Sequence, residues 1–526
     1  MSETTIEKKD FRKNGVRRLL FVAAAVFIAT ALLIESFLKL NEYFILLNYA
    51  TRILGSVLVL GIYSQYRTAS MKMPWIILIL AFPVMGVVTY LLVGMDGMTK
   101  RMRKRFEAVD EVIFPMLDEN EDVLEEFAGK DPAGASIAKY LKKYAFYPTY
   151  RNNEVKYYPK AEDALEAQLS AMSKAEQFIF MEYHAIEDKV AWSRIEAVLR
   201  ERAKQGVEIR LFYDDIGSLF FIDNRQFIRK MQSMGIKCRV FNPVAADLGG
   251  KIFLNNRDHR KITVVDGKIG FTGGFNLADE YFNITHPYGM WRDTGIEIHG
   301  NSVKNFTAMF LEMWNAVSPF DADDADFSPY LSCEIPVDES KEDNCSFVTP
   351  YADSPMDKEQ VGEEVYISML NKAEHYCYFT SPYLIITDEM SHAMTLAAKR
   401  GIDVRIVTPG IPDKKLVYSV TRSFYHGLAR CGVRIYEWTP GFTHAKMCVA
   451  DDKMATCGTI NLDYRSLYHH FENGCFLYGG KAVQDIKADF DRTFGECEEV
   501  TEVYHTGRSK SLRFGQLMLR LVAQLL

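Results

Sequence analysis

The sequence lacks a surplus of positive charge, since 62 Lys and Arg residues stand against 69 Asp and Glu residues in a chain of 526. A dedicated nucleic-acid binder usually carries a basic excess, so the net charge of −7 argues against nucleic acid as a partner. None of the nine cysteines has CxxC or CxxCH spacing, so no zinc or haem site is predicted. Unpaired thiols favour a reducing compartment. The composition, 48% hydrophobic, excludes a disordered or collagen-like chain.

Three apolar stretches lie in the first hundred residues. Residues 19–34 and 74–94 contain no charged side chain, whereas 43–64 is long enough to span a bilayer but contains Arg52. A cleaved signal peptide is disfavoured, because the Ala-Thr-Ala site lies inside the first stretch and two more stretches follow. We therefore predict a helical membrane anchor over residues 1–105, with two to three hydrophobic helices.

Basic residues flank this region on both sides. The two basic clusters are Lys8, Lys9, Arg12, Lys13, Arg17 and Arg18, and Lys100, Arg101, Arg103, Lys104 and Arg105. Both clusters should prefer the cytoplasm, which favours an even number of membrane crossings. We expect a multi-pass protein of the plasma membrane with its large domain in the cytoplasm. The second cluster either binds anionic lipids or acts only as a positive-inside signal.

The rest of the chain contains two copies of one pattern. Residues 174–183 and 372–381 each enter a predicted buried strand, and each is followed by a helix, a glycine and a second buried strand. This alternation predicts the α/β class. The divisions that we assign are a connecting segment, 106–150, a first repeat, 151–317, an acidic linker, 318–350, and a second repeat, 351–499.

Each repeat carries the motif HxKxxxxD, followed by glycine and asparagine. The two copies consist of His259, Lys261, Asp266, Gly274 and Asn276, and of His444, Lys446, Asp451, Gly458 and Asn461. Residues i and i+2 of a strand point to one face, so each histidine projects into a cavity together with its lysine. A single HxK has little meaning, but two copies in matching register indicate one paired site.

The double motif resembles the two HKD motifs of the phospholipase D superfamily, over roughly residues 158–499. The resemblance implies two phospholipase D-type α/β/α repeats, related by a pseudo-twofold axis, that form one active site. It also implies phosphodiester transfer through a phosphohistidine without metal or cofactor, in which one histidine attacks phosphorus and the other protonates the leaving alcohol. The residues that would surround the phosphoryl oxygens are Lys261, Lys446, Asn276 and Asn461.

In the family a downstream carboxylate orients each histidine. The matching positions are Asp293 and Glu472. The sequence leaves open which carboxylate serves which ring. Asp266 and Asp451 belong to the catalytic motif, although their default role is to brace loops. Arg465 and Ser466 are further candidate donors beside the second motif.

Other features resemble the bacterial cardiolipin synthases within that superfamily. They are the apolar anchor ending in basic residues, the segments Met181-Glu182-Tyr183 and Tyr213-Asp214-Asp215, the run 255–261, and a leucine-rich tail with two arginines. The tail, within residues 500–526, is predicted as an amphipathic helix that lies on the membrane or on the catalytic core.

This resemblance implies that phosphatidylglycerol and anionic membrane lipids are the partners. Two phosphatidylglycerol molecules would give cardiolipin and glycerol, with His259 provisionally the nucleophile because the first motif usually has that role. A phospholipase D-type hydrolase, another phosphatidyltransferase and, at lower weight, a membrane-tethered nuclease stay open as alternatives. A non-enzymatic scaffold ranks last, because both motifs are complete. The acceptor lipid and the oligomeric state are left open.

Overall fold

The computed structural model describes residues 45–65, 68–91, 100–117, 120–243, 256–317, 326–332, 345–357, 359–506 and 520. Several predicted features lie wholly or mostly outside these residues. They are the first basic cluster, the apolar stretch 19–34, the acidic linker and the C-terminal tail.

Three short helices open the described chain. They are α1 (Ile45–Tyr63), α2 (Ala69–Ala81) and α3 (Pro83–Thr89). The chain reverses so tightly between α2 and α3 that a Cβ at Gly86 would lie 2.5 Å from the Cα of Ile79. Ile62, Ile79, Val87 and Tyr90 form the small core of this group.

The uncharged stretch that begins at residue 74 does not form one continuous helix. α2 ends at Ala81 and α3 begins at Pro83, because proline has no backbone N–H and its ring crowds the preceding turn. No helix among the described residues is both long enough and apolar enough to cross a membrane. The group nevertheless exposes large apolar side chains, which include Ile53, Val57, Leu60, Leu80 and Phe82.

The predicted connecting segment folds onto the sheet as helices. They are α4 (Lys100–Ile113), α5 (Glu121–Lys130) and α6 (Pro132–Tyr144). Asp131 caps α6 by accepting hydrogen bonds from the backbone N–H groups of Ala133 and Gly134. Phe127 and Leu141 are fully buried, so this segment is part of the core and not a solvated connection.

Strands and helices alternate through both repeats. The first contains β1 (Tyr150–Tyr158), α7 (Ala161–Met172), β2 (Phe178–Tyr183), α8 (Val190–Lys204), β3 (Glu208–Asp214), α9 (Asp215–Ser218), α10 (Asn224–Ser233), β4 (Lys237–Phe241), β5 (Lys261–Val265), β6 (Ile269–Gly273), β7 (Met290–Arg292), β8 (Gly295–His299) and α11 (Val303–Val317), and α12 (Ser328–Leu331) follows it. The second contains β9 (Cys345–Asp353), α13 (Val361–Lys372), β10 (Tyr376–Thr380), β11 (Leu384–Ile385), α14 (Asp388–Lys399), β12 (Asp403–Pro409), α15 (Lys415–Ala429), β13 (Arg434–Trp438), β14 (Gly441–Thr443), β15 (Met447–Ala450), β16 (Met454–Gly458), β17 (Leu462–Asp463), α16 (Tyr464–Tyr468), β18 (Glu472–Tyr478), α17 (Gly480–Gly495) and β19 (Cys497–Glu499), and α18 (Thr501–His505) follows it.

Within the described chain, fifteen strands form one sheet with a symmetric order. The order is β19-β13-β12-β10-β15-β16-β18-β9-β1-β8-β6-β5-β2-β3-β4. β1 and β9 pair antiparallel at the junction of the repeats, with Tyr150 opposite Val348. Moving outward from this junction, strands of the two repeats follow in corresponding order. The predicted α/β fold with two repeats is therefore confirmed, and the pseudo-twofold axis passes between β1 and β9.

A buried ion pair connects α11 to the residues of the first motif just before β5. Arg260 lies between His259 and Lys261, so its side chain points to the opposite face of the sheet. There Nη1 donates to Glu312 Oε2 of α11 at 3.1 Å, and both side chains are almost fully buried. Burial raises the pKa of Asp110, beside Glu312, to about 9. The arginine thus provides the positive charge for a cluster that is otherwise acidic.

We expect Arg260→Met to lower the free energy of unfolding by about 3–5 kcal/mol, because it leaves a buried carboxylate without its partner. Arg434→Met is the matched control. Arg434 pairs with Glu499 at the surface, so its loss should cost at most about 1 kcal/mol. Urea unfolding in detergent, followed by circular dichroism, measures both. Equal losses in the two variants would contradict a special role for the buried pair.

Candidate active site

The two motif histidines are held in place by the backbone of the opposite repeat. His259 donates its backbone N–H to the carbonyl of Phe471 at 2.9 Å, and His444 donates to the carbonyl of Arg292 at 2.7 Å. Both side chains are largely buried, with 8% and 7% of their surface exposed. The histidines therefore lie at the junction of the repeats, where water has little access.

Each histidine is also oriented by a carboxylate of the opposite repeat. Nδ1 of His259 lies 2.8 Å from Oε2 of Glu472, and Nδ1 of His444 lies 2.7 Å from Oδ2 of Asp293. Glu472 also accepts from the hydroxyl of Thr459 at 2.5 Å. Each histidine is therefore paired with the carboxylate of the other repeat, a pairing that the sequence had left open. Because Nδ1 of each ring is engaged, Nε2 is the atom left for chemistry.

The motif lysines place positive charge beside both rings. Lys261 donates from Nζ to the carbonyl of His259 at 2.7 Å, and Lys446 donates to the carbonyl of His444. Burial lowers the pKa of Lys261 to about 8 and that of Lys446 to about 7. Burial also lowers the pKa of His444 to about 3 and that of His259 well below its ordinary value. Both lysines add to the lowering at each histidine, so the two motifs share one electrostatic site.

The two predicted phosphate-binding asparagines differ in their contacts. Asn276 donates from Nδ2 to the hydroxyl of Tyr281 at 2.8 Å, and its Oδ1 accepts from the N–H of Ala185 at 3.3 Å. Oδ1 of Asn461 is buried and has no hydrogen-bond partner among the described residues.

Asp266 and Asp451, which the sequence placed in the catalytic motif, do not reach the site. Each follows the far end of its motif strand at a positive φ of 53°. Asp266 accepts three backbone N–H groups of residues 176–178 at 2.8–2.9 Å, and Asp451 accepts those of residues 374–376 at 2.7–2.9 Å. Both aspartates brace the loop before a neighbouring strand. These contacts are those of the loop-bracing role that the sequence analysis took as the default.

Two histidines that the sequence analysis passed over lie against His259. The ring of His184 is 5.0 Å from it, centre to centre, and the ring of His470 is 5.7 Å away. Nε2 of His470 lies 3.3 Å from Nε of Arg465, a candidate donor that this contact brings close to the site. Their positions in the sequence could have indicated that both lie near the site. His184 directly follows the Met181-Glu182-Tyr183 segment, and His470 lies two residues before Glu472.

Among the described residues, His259, His470 and Glu472 could together hold a metal ion. Their ligand atoms lie within 4.8 Å of one another. The ammonium groups of Lys261 and Lys446 oppose a cation there, because both lie close enough to depress the pKa of His259. The group is better described as a hydrogen-bonded cluster around the nucleophile candidate.

Two protein-family models match parts of the chain. A family model described as "Cardiolipin synthase, PLD-like domain" matches residues 169–314 and 366–494, and one described as "Phospholipase_D-nuclease N-terminal" matches 53–94. The chain belongs to the cardiolipin synthase family of phospholipase D-like proteins. The predictions of this family, of cardiolipin synthase function and of a phosphatidyltransferase are confirmed.

Individual relatives agree with this membership. An uncharacterised protein of Streptococcus mutans is 38% identical over 90% of this chain and all of its own length. A cardiolipin synthase of Geobacillus kaustophilus is 30% identical over 88% of this chain and 90% of its own. The crystal structure of a phosphatidylserine synthase from Haemophilus influenzae matches with a TM-score of 0.56, at 13% identity, over 75% of this chain and all of its own. At that identity it shows the fold alone.

We expect Gly274→Ala to lower kcat about 100-fold, because an added Cβ would overlap Oδ1 of Asp293 and displace the carboxylate from His444. Gly427→Ala in α15 is the control, since a Cβ there meets nothing within 4 Å. Transferase assays of both proteins, with circular dichroism to compare their folding, measure the effect. A Gly274→Ala protein with full activity would show that the Asp293 contact is dispensable.

Proposed function

We propose that the chain joins two phosphatidylglycerol molecules into cardiolipin and glycerol, with His259 as nucleophile and His444 as general acid and base. The observation that carries this proposal is the crossed pair of histidine–carboxylate hydrogen bonds at 2.7 and 2.8 Å. A carboxylate on Nδ1 fixes the tautomer and stabilises the imidazolium that forms during transfer.

In the first half-reaction, Nε2 of His259 attacks the phosphorus of one phosphatidylglycerol. The bond from phosphorus to the glycerol headgroup breaks, and Nε2 of His444 gives its proton to the departing oxygen. Lys261 and Lys446 face the non-bridging oxygens with charge that is worth more in this buried setting than in water. The product is a phosphatidyl-histidine and free glycerol.

In the second half-reaction, the terminal hydroxyl of another phosphatidylglycerol gives its proton to His444 and attacks the same phosphorus. The phosphorus–nitrogen bond breaks, so His259 is regenerated and cardiolipin leaves. Water would compete as acceptor and give phosphatidic acid. The burial of both histidines supports transfer over hydrolysis.

We further propose that α1, α2 and α3 insert into the lipid of the plasma membrane and hold the catalytic repeats at its cytoplasmic face. Leu60, Leu80 and Phe82 are 68%, 61% and 58% exposed, which is unusual for such side chains unless another phase covers them. Confinement to the bilayer raises the effective concentration of the second lipid. As working boundaries we keep the anchor within 1–105 and the repeat ends at 317 and 499, and we begin the repeats with β1 at Tyr150 and β9 at Cys345.

The reaction is tested by incubating the purified protein with phosphatidylglycerol in detergent micelles without divalent metal. We expect cardiolipin and glycerol in equal amounts, read by mass spectrometry. Both products should be lost in His259→Ala and His444→Ala but kept in His375→Ala, which alters an exposed histidine outside the site. Phosphatidic acid as the sole product would replace the transferase by a hydrolase, and a requirement for another lipid would change the acceptor.

The anchor is tested by flotation with vesicles that contain phosphatidylglycerol. The variant Leu60→Asp/Leu80→Asp should lose most of its vesicle binding, because a charge on an inserted face is costly. Val503→Asp, at an equally exposed valine of α18, should bind as the unaltered protein does. Activity in micelles should be unchanged in both variants. Full flotation of the double variant would place the membrane contact elsewhere.

A further inference from the structure

Trp291 and His470 occupy equivalent positions in the two repeats. Each lies two residues before the carboxylate that orients a histidine of the opposite repeat. The ring of Trp291 is 5.3 Å from that of His444, centre to centre, and the ring of His470 is 5.7 Å from that of His259. The same place in the site is therefore filled by an indole on one side and by an imidazole on the other.

A second equivalent pair differs in the same direction. Phe442 lies two residues before His444 and pairs with Trp291 across β14 and β7. Its counterpart before His259 is Arg257, whose guanidinium bonds Asp214 at 2.9 Å. The neighbourhood of His444 is therefore aromatic where that of His259 is charged or polar.

Around His444 the aromatic contacts favour a cation, whereas Nζ of Lys446, 2.8 Å from Nδ1, opposes it. Rings of Tyr281, Trp291 and Phe442 lie 5.3, 5.3 and 5.9 Å from its ring. Aromatic rings attract a cation held within about 6 Å. Burial and the two lysines lower the pKa of His444, whereas Asp293 raises it. When the phosphodiester anion offsets the lysines, the aromatic wall still stabilises the imidazolium.

Around His259 the contacts oppose a cation. His470 accepts a hydrogen bond from Arg465 through Nε2, so its proton is on Nδ1, which lies 3.8 Å from Oε1 of Glu472. The carboxylate that orients His259 thus also faces a second histidine. The other groups that face His259 are Lys261, Lys446, His444 and His184, and each of them lowers its pKa below the value that burial alone would give.

We infer that Trp291 and His470 are positioning residues that give the two catalytic histidines opposite protonation states in the substrate complex. Trp291 stabilises the protonated form of His444, and His470 keeps His259 neutral and nucleophilic. This inference rests on the proposed function. It explains how two motifs with the same residues and the same histidine–carboxylate pairing take different parts in one reaction.

The test is the pH dependence of kcat with phosphatidylglycerol micelles. Activity falls at high pH when His444 loses its proton, so Trp291→His should move this basic limb to lower pH by about 0.5 to 1 unit. Activity falls at low pH when His259 gains a proton. His470→Phe removes the imidazole and supplies an aromatic face, so it should move the acidic limb to higher pH by a similar amount.

The control is Trp192→His, at a buried tryptophan of α8 whose indole bonds Glu196, and its profile should match that of the unaltered protein. If Trp291→His fails to fold, Phe442→Leu should move the same basic limb. The inference would be overturned if neither limb moved, or if Trp291→His and His470→Phe moved the same limb. A chain that forms no cardiolipin even unaltered would instead overturn the proposed function.

Discussion

The whole site depends on two hydrogen bonds that cross between the repeats, from His259 to Glu472 and from His444 to Asp293. Neither repeat can orient its own histidine, because the carboxylate that fixes the tautomer belongs to the other half. Catalysis therefore requires the repeats to hold their mutual position to within a fraction of an ångström. The continuous sheet meets that requirement, since strand pairing at β1 and β9 joins the two halves through the backbone.

Other features of the two halves can be understood as means of holding this junction. Gly274 lacks a side chain because Asp293 occupies the space that a Cβ would need. Asp266 and Asp451 each fix a tight turn at the remote end of a motif strand, so the strand cannot slide along its neighbours. Arg260 ties the first motif strand to the buried helix behind it. The residues that perform chemistry are few, and most of the motif serves their placement.

Short-range patterns predicted the parts of this structure that alternation determines. The repeated glycine-to-strand transitions predicted the α/β class. The i, i+2 spacing predicted His259 and Lys261 together on a strand, whereas the structure places His259 just before β5. The crossed carboxylates were not predictable, because their partners lie more than a hundred residues away in the chain. The break at Phe82 was missed because a proline such as Pro83 is tolerated inside a spanning helix as well as at the start of a new one. His470 was missed although it lies two residues before Glu472, because that spacing alone does not show that His259 packs against it.

The two repeats contribute matching motifs, but the two histidines have different roles in a phosphatidyl transfer. The histidine that attacks must be neutral while the histidine that protonates the leaving oxygen is charged. The lysines and asparagines of the motifs are present in both halves, although Lys446 also approaches Nδ1 of His444 at 2.8 Å. A further difference comes from positions where the residue type differs between the halves and where the side chain touches only one of the two rings. Trp291 and His470 meet both conditions. Burial lowers the pKa of Lys261 to about 8 and that of Lys446 to about 7, and the negative charge of a bound phosphodiester favours the protonated form of both lysines and of His444.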